Sequence, residues 1–391
     1  MEFNILLTDE IQEFIHKNLE VNPSELALKK NPFQSIDYPE LINQISAKKK
    51  AKDKLSTWFA TKNIIYPAKI SIEQTSSEIT AKYKASLING DSIIDLTGGF
   101  GVDDYYFAQQ FKKVIHCEMN VELSKIVQHN FKVLNQNNIS CLHGDSYDIL
   151  NDLNEKFDWI YIDPSRRSDV KGKVFLLNDC LPNVPELLSE YFIFSNNILI
   201  KTAPILDITS GLNELNFVKK IHIVAIKNEI KELLWEIEKG YTDVISISSI
   251  NIDNEKVYQF ETTYRKDYVT AFSLPKKYLY EPNSSIMKSG NMDAISEFYE
   301  IKKIHQHSHL FTSDEIIEFQ GRSFQINQIL PFQKESMKQF QNQKMNCTTR
   351  NFPLSVEEIK KKFKIKDGGT IFAFFTTNIN NEKIVLICTK L

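Results

Sequence analysis

A glycine-rich segment that follows a short apolar run constrains the fold of this chain more than any other feature. The run Ser92–Asp95 ends in an acid, and Gly98, Gly99 and Gly101 come shortly after it. A polar and then apolar stretch follows, so the pattern predicts a β-strand, a tight loop and the start of a helix. Glycine lets a backbone approach a ligand where a Cβ would clash. We therefore expect an α/β domain that binds a nucleotide-like ligand at this loop.

The spacing of the glycines narrows the identity of that ligand. A dinucleotide fingerprint would need glycine at Phe100 or at Asp104, and a P-loop would need a Gly-Lys-Ser/Thr sequence that does not follow. The order acid-x-x-Gly-x-Gly, which starts at Asp95, instead resembles motif I of class I S-adenosylmethionine-dependent methyltransferases. A carboxylate at the start of the loop suits a sulfonium and an amino-acid tail better than a pyrophosphate. The expected floor of the cofactor site consists of Asp95, Thr97, Gly98, Gly99 and Gly101.

Two further apolar runs predict parallel strands that end near acids. Residues 114–118 lie about one helix beyond the glycine loop, and residues 139–146 follow another predicted helix. The carboxyl ends of parallel strands line the ligand crevice of an open α/β sheet. In such a sheet we expect Glu118 to accept hydrogen bonds from ribose hydroxyls. Asp145 and Ser146 are expected to meet the adenine.

The chemistry is expected at the end of a fourth strand, which covers residues 157–163 and stops at Asp163-Pro164. Because proline cannot continue a central strand, Asp163 should lie at the carboxyl edge of the sheet. Methyltransferases that modify exocyclic amines have Asp-Pro-Pro-Tyr/Trp at this position, and their acid and proline carbonyl accept hydrogen bonds from the target nitrogen. Here Ser165 replaces the second proline. The expected catalytic residues are Asp163, Pro164 and Ser165.

Basic residues follow this segment and end the next predicted strand. Arg166 stands where the motif has its aromatic residue, and Arg167 comes next. Both side chains could grip a phosphate or stack on a base, whereas the alternative is a salt bridge to Asp169. The strand predicted at residues 197–204 carries Lys201 near its end. We expect Arg166, Arg167 and Lys201 to bind the substrate.

The segment 71–78, ahead of the first strand, is rich in hydroxyl and amide side chains. It precedes an amphipathic stretch, so one interpretation is the N-cap of a helix. The other is a segment that packs over the cofactor, with Gln74 and Ser76 as cofactor contacts.

Composition restricts the class of protein. The chain has 391 residues, of which 42% are hydrophobic and 25% are charged, as is typical of globular proteins. Its five cysteines show no C-x-x-C spacing, which favours reduced core thiols over disulfides or zinc ligands. Neither a signal sequence nor an apolar run of membrane-spanning length is present. We expect a cytoplasmic protein that binds neither a metal nor a membrane.

Four motifs together carry a resemblance to one family. They are Glu-Gln-x-Ser-Ser-Glu, Asp-Leu-Thr-Gly-Gly-Phe-Gly-Val-Asp, Asp-Pro-Ser-Arg-Arg and Asn-Glu-x-Lys-Glu-Leu-Leu, all between about residues 70 and 240. This series resembles bacterial class I methyltransferase-like proteins with a C-terminal THUMP-like domain, and more distantly trimethylguanosine synthases. The resemblance implies S-adenosylmethionine as cofactor and RNA, either tRNA or rRNA, as partner. It implies no particular target atom.

The C-terminal segment is basic although the net charge of the chain is −3. From Gly321 onward there are 12 Lys and Arg against 5 Asp and Glu, whereas the rest of the chain has 35 against 45. Such segregation indicates a surface for a polyanion, or simply a solvated helix face that carries several lysines. The pattern there alternates strands and helices and resembles a THUMP-like RNA-binding module. His305, His307 and His309 alternate as on a strand, and an exposed strand face is favoured over a metal site.

These observations define an expected architecture. The fold class is α/β, with a Rossmann-like class I methyltransferase sheet, an N-terminal helical domain and small C-terminal α+β domains, one ferredoxin-like and one THUMP-like. The expected domains are a helical one at 1–70, the methyltransferase at 71–265, a ferredoxin-like segment at 266–320 and the basic domain at 321–391. The expected function is methylation of a nucleobase in RNA, with an exocyclic amine favoured. The alternatives are a non-catalytic RNA-binding protein with the same fold and a small-molecule methyltransferase.

Overall fold

The computed structural model describes residues 4–166, 176–254 and 256–391. The chain forms two compact units. The first extends to Val218 and includes Trp235–Tyr241, and the second comprises Lys219–Leu234 and Thr242–Leu391. The helices of the first unit are α1 Asp9–Lys17, α2 Pro23–Ala27, α3 Tyr38–Lys54, α4 Ser56–Ala60, α5 Lys69–Gln74, α6 Glu78–Leu87, α7 Val102–Phe107, α8 Val121–Val133, α9 Ser146–Leu153, α10 Val184–Phe194 and α11 Ile208–Glu214. Those of the second unit are α12 Ser284–Ser289, α13 Asp293–Tyr299, α14 Lys334–Lys338 and α15 Val356–Phe363.

The strands follow the same chain order. The first seven are β1 Ser92–Asp95, β2 Lys113–Glu118, β3 Ile139–His143, β4 Trp159–Ile162, β5 Ser165–Arg166, β6 Cys180–Leu181 and β7 Asn197–Thr202. The next four are β8 Val218–Ile226, β9 Glu229–Glu238, β10 Ser246–Asp253 and β11 Lys256–Thr263. The last seven are β12 Tyr278–Pro282, β13 Lys302–Lys303, β14 Phe311–Ser313, β15 Gly321–Pro331, β16 Asn346–Arg350, β17 Ile371–Thr377 and β18 Lys383–Lys390.

A parallel sheet organises the first unit. Its strands lie in the order β3-β2-β1-β4-β7, and each neighbouring pair is parallel. This is the order of a doubly wound nucleotide-binding sheet, whose ligand crevice lies at the carboxyl ends of the strands. Ile93, Ile94 and Ile160 in the central strands are fully buried, as expected for a sheet covered on both faces. The predicted α/β fold class is confirmed.

The N-terminal helices pack together through their apolar side chains. Leu41 and Ile45 of α3 are fully buried, as is Trp58 of α4. Glu78, at the start of α6, is buried and accepts hydrogen bonds from the backbone N of Thr57 at 2.6 Å and from the Tyr106 hydroxyl at 2.7 Å. The helices before β1 are therefore attached to the helix that follows the glycine loop.

Two sheets organise the second unit. Strand β10 lies between β8 and β11, parallel to the first and antiparallel to the second. The other sheet has the order β13-β14-β12-β15-β18-β17-β16. The strand–helix–strand–helix–strand–strand pattern predicted from Gly321 onward is confirmed by β15, α14, β16, α15, β17 and β18.

The strand predicted at the three alternating histidines is wrong. His305 and His307 lie in a turn, and His305 is buried. The backbone N of His307 donates to His305 Nδ1 at 3.1 Å, and the Ser308 hydroxyl donates to the His305 carbonyl. Such local side-chain to backbone bonds compete with extended structure. Within the described residues, no group of three or more His, Cys, Asp or Glu side chains could hold a metal ion.

Candidate functional site

The loop after β1 is held by its own acid. Asp95 Oδ1 accepts hydrogen bonds from the backbone N of Thr97 at 2.7 Å and from Thr97 Oγ1 at 3.0 Å. Thr97 Oγ1 in turn accepts a hydrogen bond from the backbone N of Asp163 at 2.7 Å. A hydroxyl can donate once and still accept, so Thr97 connects the glycine loop to the predicted catalytic segment. The fold brings these three residues together from two neighbouring strands.

The glycines of the loop serve different needs. A Cβ at Gly98 would lie 2.1 Å from the ring of His116, so packing beneath the loop excludes any larger residue there. Gly99 has φ +57°, and a Cβ there would meet nothing nearer than 3.7 Å. Gly101 is the N-cap of α7. A ligand can therefore approach the backbone at Gly99. At Gly98 the ring of His116 leaves no room for a side chain.

Glu118 lies at the end of β2, where its prediction placed it, and it supports the loop. Its Oε2 accepts from the backbone N of Gly99 at 3.0 Å, and its Oε1 accepts from the backbone N of Asn120 at 2.7 Å. The side chain is half-buried. Because each carboxylate oxygen can accept more than one hydrogen bond, Glu118 retains capacity for the hydroxyls of a ligand.

Asp145 lies just after β3 and is exposed. Its Oδ1 caps α9 by accepting from the backbone N of Tyr147 at 2.9 Å and of Asp148 at 3.2 Å. Ser146, the first residue of the helix, is buried. Sequence reasoning missed this capping role, which orients Asp145 at the same edge of the sheet as Glu118.

Asp163 directly follows β4 at the carboxyl edge. It is 36% exposed and forms a short ion pair through Oδ2 with Lys201, whose side chain is 13% exposed. Pro164 is buried and Ser165 is exposed. Arg166 is half-buried in β5, which pairs with β6. Arg167 and Asp169 lie outside the described residues, so the structure does not place that pair.

A buried ionic cluster lies beneath this edge, and sequence reasoning missed it. Asp103 accepts from Tyr161 Oη at 2.8 Å and from Ser76 Oγ at 2.9 Å, and it lies 3.2 Å from Lys84 Nζ. Burial raises the pKa of Asp103, but Lys84, Lys201 and these hydrogen bonds outweigh it, so the net pKa is lowered. Asp103 stands in the motif Phe-Gly-Val-Asp, and an acid in the first turn of a helix was the available signal.

The segment before β1 contributes Ser76 to this cluster. Ser77 caps α6 by accepting from the backbone N of Thr80 at 3.2 Å, so the N-cap interpretation of this segment is confirmed. Ser76 is buried against Asp103, and Gln74 ends α5 as an exposed residue. A role of Gln74 or Ser76 at the cofactor stays a prediction.

A second buried group packs under Gly98. His116 Nδ1 lies 2.6 Å from Asp104 Oδ2, and both side chains are fully buried. Burial, and then the charge of Asp104, raises the pKa of Asp95 well above its usual value. Burial and the charge of Asp103 do the same for the pKa of Asp104, whereas burial lowers the pKa of His116. Burial thus disfavours the charged form of each of these groups, and their side chains pack beneath the loop.

Family models match three parts of the chain. Residues 90–201 match a family described as RNA cap guanine-N2 methyltransferase. Residues 278–319 match a ferredoxin-like domain, and residues 321–390 match a domain described as THUMP domain-like. No curated protein matches the sequence significantly.

Two solved structures are similar to the chain. A methyltransferase candidate from Porphyromonas gingivalis W83 is 28% identical, with a TM-score of 0.88 over 100% of this chain and 99% of its own. An rRNA methylase from Streptococcus thermophilus is 14% identical, with a TM-score of 0.30 over 41% of this chain and 94% of its own. With its nucleotide-binding sheet and its matched domains, the chain is a methyltransferase, and it is similar to class I methyltransferases that carry a C-terminal THUMP-like domain.

Proposed function

We propose that this protein methylates an exocyclic amine of a nucleobase in RNA. One contact carries the proposal: the backbone N of Asp163 donates to Thr97 Oγ1 at 2.7 Å. It fixes the Asp-Pro segment one hydrogen bond away from the glycine loop. A cofactor on the loop and an amine at Asp163 would therefore be neighbours. Such proximity supplies much of the rate enhancement for a displacement between two bound reactants.

The residues around the loop fit S-adenosylmethionine. The open space above Gly99 admits a ligand close to the backbone. Glu118 would accept the ribose hydroxyls, and Asp145 and Ser146 would border the adenine. Asp95, Thr97 and Gly98 would shape the floor. When bound, the cofactor supplies a methyl group on a sulfonium.

Asp163 would act on the other reactant. Its carboxylate would accept a hydrogen bond from the target amine and direct the nitrogen lone pair toward the methyl group. As the N–C bond forms and the S–C bond breaks, the amine loses a proton to Asp163 or to water. The carbonyl of Pro164 would accept from the same amine. A base inside a duplex would have to leave its stack to reach this edge.

The basic C-terminal domain supports RNA as the substrate. Lys361, Lys362, Lys364 and Lys366 are exposed in and just after α15. Ile359 and Phe363 bury the other face of that helix. Cationic side chains on one face attract phosphates without reading sequence. The description of the family matched at residues 90–201 adds support for RNA.

The test is methyl transfer from labelled S-adenosylmethionine to total RNA of a strain that lacks this protein. We expect label in RNA with the wild type, none with Asp163→Ala, and undiminished binding of S-adenosylhomocysteine to that variant. Asp91→Ala is the control, because Asp91 is an exposed acid of the same unit. Label in small molecules but not in RNA would favour a small-molecule methyltransferase and contradict the proposal.

A further inference from the structure

Lys201 is bonded to Asp163 at the edge of the sheet. Strands β4 and β7 are parallel neighbours in which Ile162 pairs with Ile200, so the two charged residues follow at the same level. The ammonium of Lys201 contacts Asp163 Oδ2. The lysine side chain is 13% exposed and that of the acid is 36% exposed. The cation thus approaches Asp163 from the interior of the unit.

A second acid acts on the same lysine. Asp103 is buried, and Lys201 is one of the cations that lower its pKa. Asp103 is itself held by Tyr161 at 2.8 Å, by Ser76 at 2.9 Å and by Lys84 at 3.2 Å. Lys84 and Lys201 are thus the two cations that act on Asp103.

We propose that Lys201 is a positioning residue that acts through Asp163. The inference rests on the proposed function of Asp163 as the acceptor of the target amine. It replaces the expectation that Lys201 binds the substrate directly.

The geometry gives the pair two consequences. The ion pair holds the carboxylate of Asp163 in one orientation at the edge of the sheet. Because Lys201 contacts Oδ2, Oδ1 is turned toward the position of an amine. A substrate phosphate that drew Lys201 away would leave the charges of Asp163 and Asp103 uncompensated, which is costly in a partly buried site.

The first test measures kcat and KM for methyl transfer to RNA in Lys201→Met and Lys201→Arg. We expect kcat for Lys201→Met to fall by about tenfold or more, because Asp163 is no longer held in one position. KM for RNA should change little, and Lys201→Arg should restore much of kcat.

A higher KM for RNA in Lys201→Met, with kcat unchanged, would overturn the inference and indicate direct phosphate binding. If Lys201→Met does not fold, Lys201→Gln serves instead, since it keeps a polar end at the half-open edge.

The second test needs no substrate. Urea midpoints are compared for Asp163→Asn, Lys201→Met and the double variant, beside the same cycle for the exposed pair Lys112 and Asp91, whose side chains are 80% and 75% exposed. The changes in midpoint should be non-additive for the first pair and additive for the second. Additive changes for Asp163 and Lys201 would overturn the inference. If wild-type protein methylates no RNA yet this coupling is present, the proposed function fails and the pairing stands.

Discussion

The carboxyl groups beneath the glycine loop differ in the direction of their pKa shifts. Asp103 has a lowered pKa because two lysines and two hydroxyls outweigh its burial, whereas burial raises the pKa of Asp95 and Asp104. Asp95 holds the loop through its hydrogen bonds to Thr97.

The first prediction concerns Asp104→Asn. The folded pKa of Asp104 lies above that of the unfolded chain, so folding binds a proton and stability falls as pH rises between the two values. Asparagine cannot ionise, and its amide can donate to His116 Nδ1 as a protonated acid does. At pH values above the folded pKa, we expect the variant to have a higher free energy of unfolding than the wild type, by about 1.4 kcal/mol for each pH unit that separates the folded pKa from the unfolded one.

Urea unfolding of Asp104→Asn between about pH 5 and 8 measures this effect across the range where the raised pKa matters, with exposed Asp91→Asn as the control. A loss of stability at the alkaline end of that range would instead indicate that Asp104 is ionised and paired with a charged His116.

The second prediction concerns Glu118→Ala. Glu118 holds the backbone N of Gly99 and is the expected acceptor for ribose hydroxyls. Loss of charge-assisted hydrogen bonds should weaken S-adenosylhomocysteine binding by about 1.5–3 kcal/mol in calorimetry. Glu122→Ala is a matched control, since Glu122 is a half-exposed acid in the first turn of α8. Equal affinity of the two variants would remove Glu118 from the cofactor site.

Among the elements of the first unit, the loop between β1 and α7 packs against the ring of His116. His116 is buried and bonded to Asp104, and its ring occupies the place of a Cβ at Gly98. Gly98→Ala should therefore displace the loop, destabilise the protein by about 1–3 kcal/mol and abolish cofactor binding. Gly99→Ala should cost only the strain of its positive φ, about 1 kcal/mol.

Urea unfolding and calorimetry on the two glycine variants measure the difference. Similar losses in both would mean that backbone conformation, and not the contact with His116, fixes the loop.

Much of this element could be predicted because its signals are local. The apolar run, the acid and the glycines of β1 and its loop are contiguous in sequence.

Strand β9 could not be assigned from the sequence, because Glu232 to Trp235 are all buried and a fully buried strand has no alternation of apolar and polar residues. The ionic cluster of Asp103 was also beyond prediction. Lys84 of α6, Tyr161 of β4 and Lys201 of β7 come from distant parts of the chain, and only the folded structure brings them near Asp103.

At the scale of the whole molecule, charge is segregated toward the C-terminus. Lys361, Lys362 and Lys364 are exposed, whereas Lys360 is paired with Asp367. If the three exposed lysines bind phosphates, their reversal to glutamate in the full-length protein should weaken RNA binding and flatten its salt dependence, by about 0.7–0.9 in the log–log slope for each phosphate that is no longer neutralised. Affinity for S-adenosylhomocysteine should not change.

Reversal of Lys82, Lys112 and Lys125 is the control, because these are exposed lysines of the first unit. If both triple variants bind RNA equally in a filter assay over a salt series, the basic helix is only a solvated surface.

In the proposed function, one edge of the sheet holds the cofactor beside an amine acceptor. A crystal structure with S-adenosylhomocysteine would show whether the ligand lies there. We expect the ribose hydroxyls on Glu118, the adenine beside Asp145 and Ser146, and the sulfur facing Asp163, which stays paired with Lys201. Ligand bound away from the loop at Gly99, or a sulfur that faces away from Asp163, would contradict the account.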